Sequence, residues 1–146
     1  MATVLIVYGS TMGNTETAAN MIADILREAG HSAIVLDVVN AEPNGLCAGF
    51  DCALFGSSTW GDGDLQDSFA FLYDCFDNIS VSGVKAAAFG CGDSGYPAFC
   101  NAVTLIQDKL EEVGAKVVAQ GLKIDGNPAD SENDINSWAA EVAKAL

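Results

Sequence analysis

The chain has 146 residues, half of them hydrophobic, with 20 acidic residues against 6 basic ones and a formal net charge of −14. That is one domain's length, enough to bury a full core without staples, and the composition is not that of a disordered segment. The charge argues against nucleic acid and against an anionic membrane surface, because nothing here could neutralise a run of phosphates; it suits basic partner surfaces, or simply keeps the protein in solution.

Five apolar runs alternate with five stretches of helical character. Thr3–Tyr8 reads as a buried strand, too short and without the basic flank of a signal peptide or membrane span. From Asn14 to Ala29, Ala18, Met21, Ile22, Ile25 and Ala29 recur at helical spacing, and Gly30 stops the helix. Ser32–Val38 is the second strand and "CALFGSS", after Asp51, the third. Gln66–Phe76 reads as a short helix and Val84–Phe89 as the fourth strand. Asn101–Val113 is helical up to Gly114, and Lys116–Ile124 is a fifth strand interrupted near Gln120-Gly121. In the last helix Ile135, Trp138, Ala139, Val142 and Leu146 form one stripe, with Ser131 and Asp134 spaced as a capping pair.

Strict alternation with near-continuous apolar strands predicts a three-layer α/β/α sandwich around a five-stranded parallel sheet, in a single domain spanning 1–146. Ligands of such sheets bind beyond the carboxyl ends of the strands. The loops after strands one, three and four are therefore the ones to read. The cysteines, Cys47, Cys52, Cys75, Cys91 and Cys100, are odd in number and show no C-x-x-C spacing, which suits reduced thiols in a cytoplasmic protein rather than disulfides or zinc.

The first loop, "YGSTMGNTE", offers hydroxyls and an amide from Ser10, Thr11, Asn14 and Thr15 at the start of a helix, where free N–H groups favour an anion. It has neither the lysine of a P-loop nor the G-x-G-x-x-G of a dinucleotide fold. The competing structural explanation is an ordinary helix cap after a tight turn. The loop after strand three, "SSTWGDGDLQD", carries Trp60 between glycine and acids, as a stacking platform for a planar ring or as a half-buried packing residue. The loop after strand four, "FGCGDSGYPAFC", matches G-x-G-x-x-G at residues 90–95, but after the wrong strand and ahead of Pro97. "GDSGYP" also looks like a protease nucleophile segment, yet the one histidine, His31, starts the second strand at the opposite end.

Taken together, S-T-x-G-N-T, S-T-W-G-D and C-G-D-S-x-Y-x-x-F-C in this order resemble the flavodoxins, over essentially the whole chain and in the short-chain class of sulfate-reducing bacteria. The resemblance implies sheet order 2-1-3-4-5 and FMN as non-covalent cofactor. It places the phosphate on Ser10, Thr11, Gly13, Asn14 and Thr15, with Met12 contributing backbone. Trp60 stacks on one face of the ring and Tyr96 on the other. Ser58 and Thr59 touch the ring edge and ribityl chain, and the Gly61 carbonyl turns to flavin N5–H on reduction. Backbone groups of Cys91, Gly92, Asp93 and Cys100 meet the pyrimidine edge, and Phe99 lines the site. The loop at Asp62–Asp64 is shorter than in the sulfate-reducer proteins, which leaves its geometry open.

Asp62, Asp64, Asp67 and Asp93 surround the ring with no lysine or arginine in the three loops. Like charge and water exclusion disfavour the reduced anion. The expected function is a low-potential one-electron carrier, cycling between semiquinone and hydroquinone. Its partners would be basic docking surfaces on a reductase, a ferredoxin-linked enzyme or a cytochrome, and it would act as a monomer. No catalytic group or metal cluster is expected. A flavodoxin-like quinone or NAD(P)H reductase is the enzymatic alternative, disfavoured because the chain ends after its last helix without a nicotinamide domain. A receiver domain needs acids where Tyr8-Gly9 and Gly56-Ser57 stand.

Overall fold

The computed structural model describes residues 1–10, 13–60, 63–95 and 99–146, with Trp60 described by its backbone. In chain order, Thr3–Gly9 forms β1, Asn14–Glu28 α1, Ser32–Asp37 β2 and Cys52–Ser57 β3. Thr59–Trp60 and Asp64–Leu65 form β4 and β5, followed by α2 at Asp67–Asp74 and β6 at Lys85–Gly92. Asn101–Glu112 is α3, Lys116–Val117 is β7, Leu122–Asp125 is β8 and Glu132–Ala145 is α4.

The main sheet is parallel in the order β2-β1-β3-β6-β7, and β8 also pairs with β6. β7 and β8 are two halves of one outer strand, so the order is the expected 2-1-3-4-5 with β6 as fourth strand. The interruption falls at residues 118–121. There Trp138 Nε1 donates to the Gln120 carbonyl at 2.7 Å and Gly121 N to Gln107 Oε1 at 2.6 Å. A side chain on Gly121 would sit 2.5 Å from Val103 Cγ1, so the chain presses against α3 at this break.

Successive side chains of a strand point to opposite faces. Val4, Ile6 and Tyr8 of β1 therefore join Ile22 and Leu26 of α1 and Trp138 and Val142 of α4 in one core. Leu5 and Val7 join Phe69 and Leu72 of α2 and Val103 and Ile106 of α3 in the other. Both faces are covered, which is why β1 and β3 are apolar without alternation.

Four α-helices are present among the described residues, where five helical stretches are expected. Between β2 and β3, Asp37 Oδ1 accepts from Val39 N at 3.0 Å and caps a single 3₁₀ turn, Val38–Asn40. The chain then turns through Pro43, Gly45 and Gly49, too punctuated for a helix, while Cys47 is buried and its N–H donates to the Ile79 carbonyl at 3.1 Å. Helix α2 is shorter than predicted. Gln66 caps it, Oε1 accepting from Phe69 N at 3.0 Å, and its end passes into a 3₁₀ turn at Phe76–Asn78. Ser131 makes no capping bond; it ends a 3₁₀ turn, Pro128–Ser131, capped by Asn127.

Residues Gly9 and Ser57 are register partners, as are Gly56 and Phe89, and Gly92 and Asp125. The carboxyl ends of β1, β3, β6 and β8 thus reach one edge of the sheet. His31 lies at the other, accepting at Nδ1 from Ala2 N at 3.0 Å. No helix among the described residues is long and apolar enough to cross a membrane.

Candidate functional site

Helix α1 begins on Gly13, whose φ of 88° lies in the left-handed region that glycine takes without strain. Glycine offers no capping oxygen, so among the described residues the N-cap gives the first turn no side-chain acceptor. Hydroxyls stand beside them. Ser10 Oγ accepts from Gly13 N at 3.0 Å, and the buried Thr15 hydroxyl lies 2.8 Å from that of Ser58. A hydroxyl rotates to donate or accept as a neighbour requires. Asn14 is the first residue of the helix, while Thr11 and Met12 lie outside the described residues.

The second loop is a tiny hairpin. Thr59 pairs with Leu65 and Trp60 with Asp64. Its base is joined to the sheet by Ser58 N donating to the Gly9 carbonyl (3.3 Å) and Gln66 N to the Ser58 carbonyl (3.1 Å). Thr59 Oγ1 accepts from Ala102 N at 3.0 Å, and the Asn101 amide donates to the Gly63 carbonyl at 3.0 Å. The Trp60 ring, Gly61 and Asp62 lie outside the described residues.

The third loop starts later than its glycines suggest, because β6 continues through Gly90, Cys91 and Gly92. A side chain on Gly90 would lie 2.1 Å from the Ser57 carbonyl, so this glycine allows β3 and β6 to approach closely. The first half of the G-x-G-x-x-G match is therefore strand, not a phosphate turn. Gly92 receives Gly126 N on its carbonyl at 2.8 Å, and Asp93 Oδ1 accepts from Gly95 N at 2.8 Å, leaving the Asp93 side chain exposed. Phe99 is half-buried and packs on the α2–α3 core; Cys100 is fully buried with φ 49°. Tyr96 lies outside the described residues.

Burial pushes the Cys91 thiol up to about 11 and that of Cys100 to about 12, so both are neutral packing groups rather than nucleophiles. Among the described residues no group of three His, Cys, Asp or Glu side chains is placed to hold a metal ion. Asp64, Asp67 and Asp93 are exposed around the loops.

Two contributors were not predicted. Asp125, at the end of β8, accepts from both the backbone and the hydroxyl of Ser94, at 3.0 and 2.5 Å, which holds its carboxyl below the usual range. The pattern "KIDG" puts an acid at a strand's carboxyl end, the signal that reading only three loops passes over. Asn101 carries no local signal, since its partner is 38 positions away.

The donor set fits a phosphate monoester held without a cation. An uncapped helix start, flanked by hydroxyls and free of lysine and arginine, supplies aligned amides in place of charge.

The Flavodoxin family model matches residues 6–138. A flavodoxin of Nitratidesulfovibrio vulgaris is 48% identical over 148 aligned positions, covering the whole of both chains. A flavodoxin of Maridesulfovibrio salexigens is 45% identical, again over the whole of both. The crystal structure of oxidised flavodoxin 1 from Bacillus cereus superposes with a TM-score of 0.92 at 37% identity, covering 99% of each chain.

Proposed function

This chain belongs to the flavodoxin family, in its short-chain class, and from that premise we propose how residues 1–146, as one binding unit, hold their cofactor. The protein is a low-potential electron carrier using non-covalent FMN, not an enzyme. Bound FMN supplies the one-electron chemistry.

The observation that carries the assignment of residues is the open start of α1. Ser10, Thr11, Gly13, Asn14 and Thr15 bind the phosphate, with the backbone of Met12. The hydroxyls of Thr15 and Ser58, now facing each other at 2.8 Å, turn toward it. Ser58 and Thr59 border the ribityl chain, while Trp60 and Tyr96 cover the two ring faces. The Gly61 carbonyl serves as acceptor at the ring edge. Cys91, Gly92, Asp93 and Cys100 present backbone groups to the pyrimidine, and Phe99 supports that loop.

Asp62, Asp64, Asp67, Asp93 and Asp125 line the ring side without a compensating base in the three loops. Added negative charge is therefore disfavoured there, which lowers the potential of the second electron.

An electron carrier works between redox partners. The charge of −14 favours partners with basic docking surfaces: a reductase, a ferredoxin-linked enzyme or a cytochrome. Association rates that fall as salt rises support this, and salt-independent rates remove it. The free cysteines suit the cytoplasm, and the chain acts as a monomer.

The test is anaerobic reductive titration of the purified protein, followed by its visible spectrum. Two resolved one-electron steps support the carrier. A single two-electron step keeps the cofactor but favours a quinone or nicotinamide reductase. A colourless protein that takes up no added FMN sinks the assignment.

A further inference from the structure

The hairpin β4–β5 has two residues in each strand. A two-stranded ribbon of this size has no stability of its own, so its place is set by whatever it is tied to. Its base is tied to β1 through Ser58 and Gly9. Its outer part is tied to the first turn of α3 by two hydrogen bonds from consecutive residues. Asn101 Nδ2 donates to the Gly63 carbonyl, and Ala102 N donates to Thr59 Oγ1, both at 3.0 Å.

These two bonds grip both arms of the hairpin, one on β4 and one immediately before β5. Gly63 is buried and has φ 110°, a conformation open to glycine alone, which aims its carbonyl at α3. A buried carbonyl stripped of its donor is costly, so the chain would shift until water reached it. Asn101 itself is half-buried and sits at the start of a helix whose axis is fixed by Val103, Ile106 and Leu110 in the core. The Asn101 side chain therefore transmits the position of a rigid element to a weak one.

We propose that Asn101 is a positioning residue: it latches the Thr59–Leu65 hairpin to α3 and thereby sets the separation between the two one-electron potentials of the bound flavin. This rests on the functional assignment above, in which Thr59, Trp60 and Gly61 face the ring. A hairpin held by α3 keeps its frame in place while the Gly61 carbonyl alone turns toward the reduced ring, so both one-electron steps otherwise meet the same surroundings. A hairpin released from α3 re-adjusts, and the two oxidation changes no longer see the same surroundings.

The test uses Asn101→Ala and the nearly isosteric Asn101→Leu, both neutral like the parent, so that no charge is added near the ring. Amide exchange at residues 63–65 of the apoprotein should quicken about threefold to tenfold, the equilibrium factor of one neutral hydrogen bond. The amides of α1 serve as internal reference and should stay unchanged. In the FMN-loaded protein, the ratio of affinities between successive oxidation states should change by a similar factor. A tenfold change corresponds to 59 mV in the separation of the potentials. Variants that melt at lower temperature but keep both the exchange pattern and the potentials of the parent show a merely structural asparagine and overturn the proposal. Faster exchange with unchanged potentials also overturns it, since the latch would then not reach the flavin. A parent chain that takes up no FMN overturns the functional assignment and this inference together, whereas a parent that binds FMN beside variants identical to it overturns the inference alone.

Discussion

Helices α1 and α3 start alike and are used differently. Each begins at a residue in the left-handed region, Gly13 with φ 88° and Cys100 with φ 49°, and neither residue caps its helix with a side chain. At α3 the protein supplies the missing acceptor from another loop, Thr59 Oγ1 receiving Ala102 N. At α1 the hydroxyls gather nearby, yet the N-cap stays a glycine without an oxygen to offer. One helix start is a joint between two parts of the protein, and the other is the one proposed above as a receptor for an anion. The same local geometry serves both, and the identity of the acceptor separates them.

The largest expected effect comes from turning the receptor into a joint. In Gly13→Asp the carboxylate becomes an N-cap for α1 and occupies the place proposed for the phosphate. There is open space around an added Cβ at Gly13, so the cost is the positive φ, on the order of 1 kcal/mol, partly offset by the cap. Two charge-assisted hydrogen bonds to phosphate are worth roughly 3–6 kcal/mol, so FMN affinity should fall about 10²-fold to 10⁴-fold. Riboflavin, which lacks the phosphate, should bind the variant and the parent about equally. Fluorescence titration with both ligands decides it: an equal loss for the two would mean that α1 is not where the phosphate goes.

The converse change opens the joint. Thr59→Val keeps the shape of the side chain and removes the acceptor for Ala102 N. Losing a cap of this kind costs about 1 kcal/mol, or roughly 2–4 °C in the Tm of a chain this size. Thermal unfolding of the apoprotein is the measurement. An unchanged Tm would show that water replaces Thr59 without loss, and that α3 is no more closed than α1.

The architecture was legible because burial on two faces leaves a strong mark. Leu5 and Val7 are needed on one side of β1 and Val4 and Ile6 on the other, so the whole run is apolar. The broken fifth strand was visible in Gln120-Gly121, a polar and flexible pair inside an apolar segment. Misreadings arose where a residue type has two uses. The fourth strand is expected to end at Phe89, with Gly90 and Gly92 in the loop, but both stand where another group approaches closely, and β6 runs through them. Ser131 has cap spacing, but Asn127 turns the chain before it. In the site, the residues proposed to act through local sequence were legible as candidates: the hydroxyls before α1 and the loop acids. Asn101 and Asp125 were not, because each works on a partner more than thirty positions away, and no periodicity records such a pairing.

The smallest expected effect concerns acid, and it separates the two helix starts by a different property. The chain leading toward α3 is fastened by an ionised group, Asp125, whose two oxygens accept from the Ser94 hydroxyl and amide. The junction at α1 is fastened by Ser10, Thr15 and Ser58, which do not titrate between pH 2 and 8. Hydrogen bonds from Ser94 hold the Asp125 carboxyl below its ordinary value, so folding favours its charged form. The contribution is therefore complete above the unfolded carboxylate value of about 3.9 and is lost as pH falls through the lower folded value. In the apoprotein, the Ser94 amide resonance should shift with a midpoint below that of an ordinary aspartate, while the Ser58 amide stays flat. Asp125→Asn keeps an acceptor for Ser94 but removes the proton, and the Ser94 step should vanish. A step that persists in this variant would show that Asp125 is not the acid-sensitive fastening.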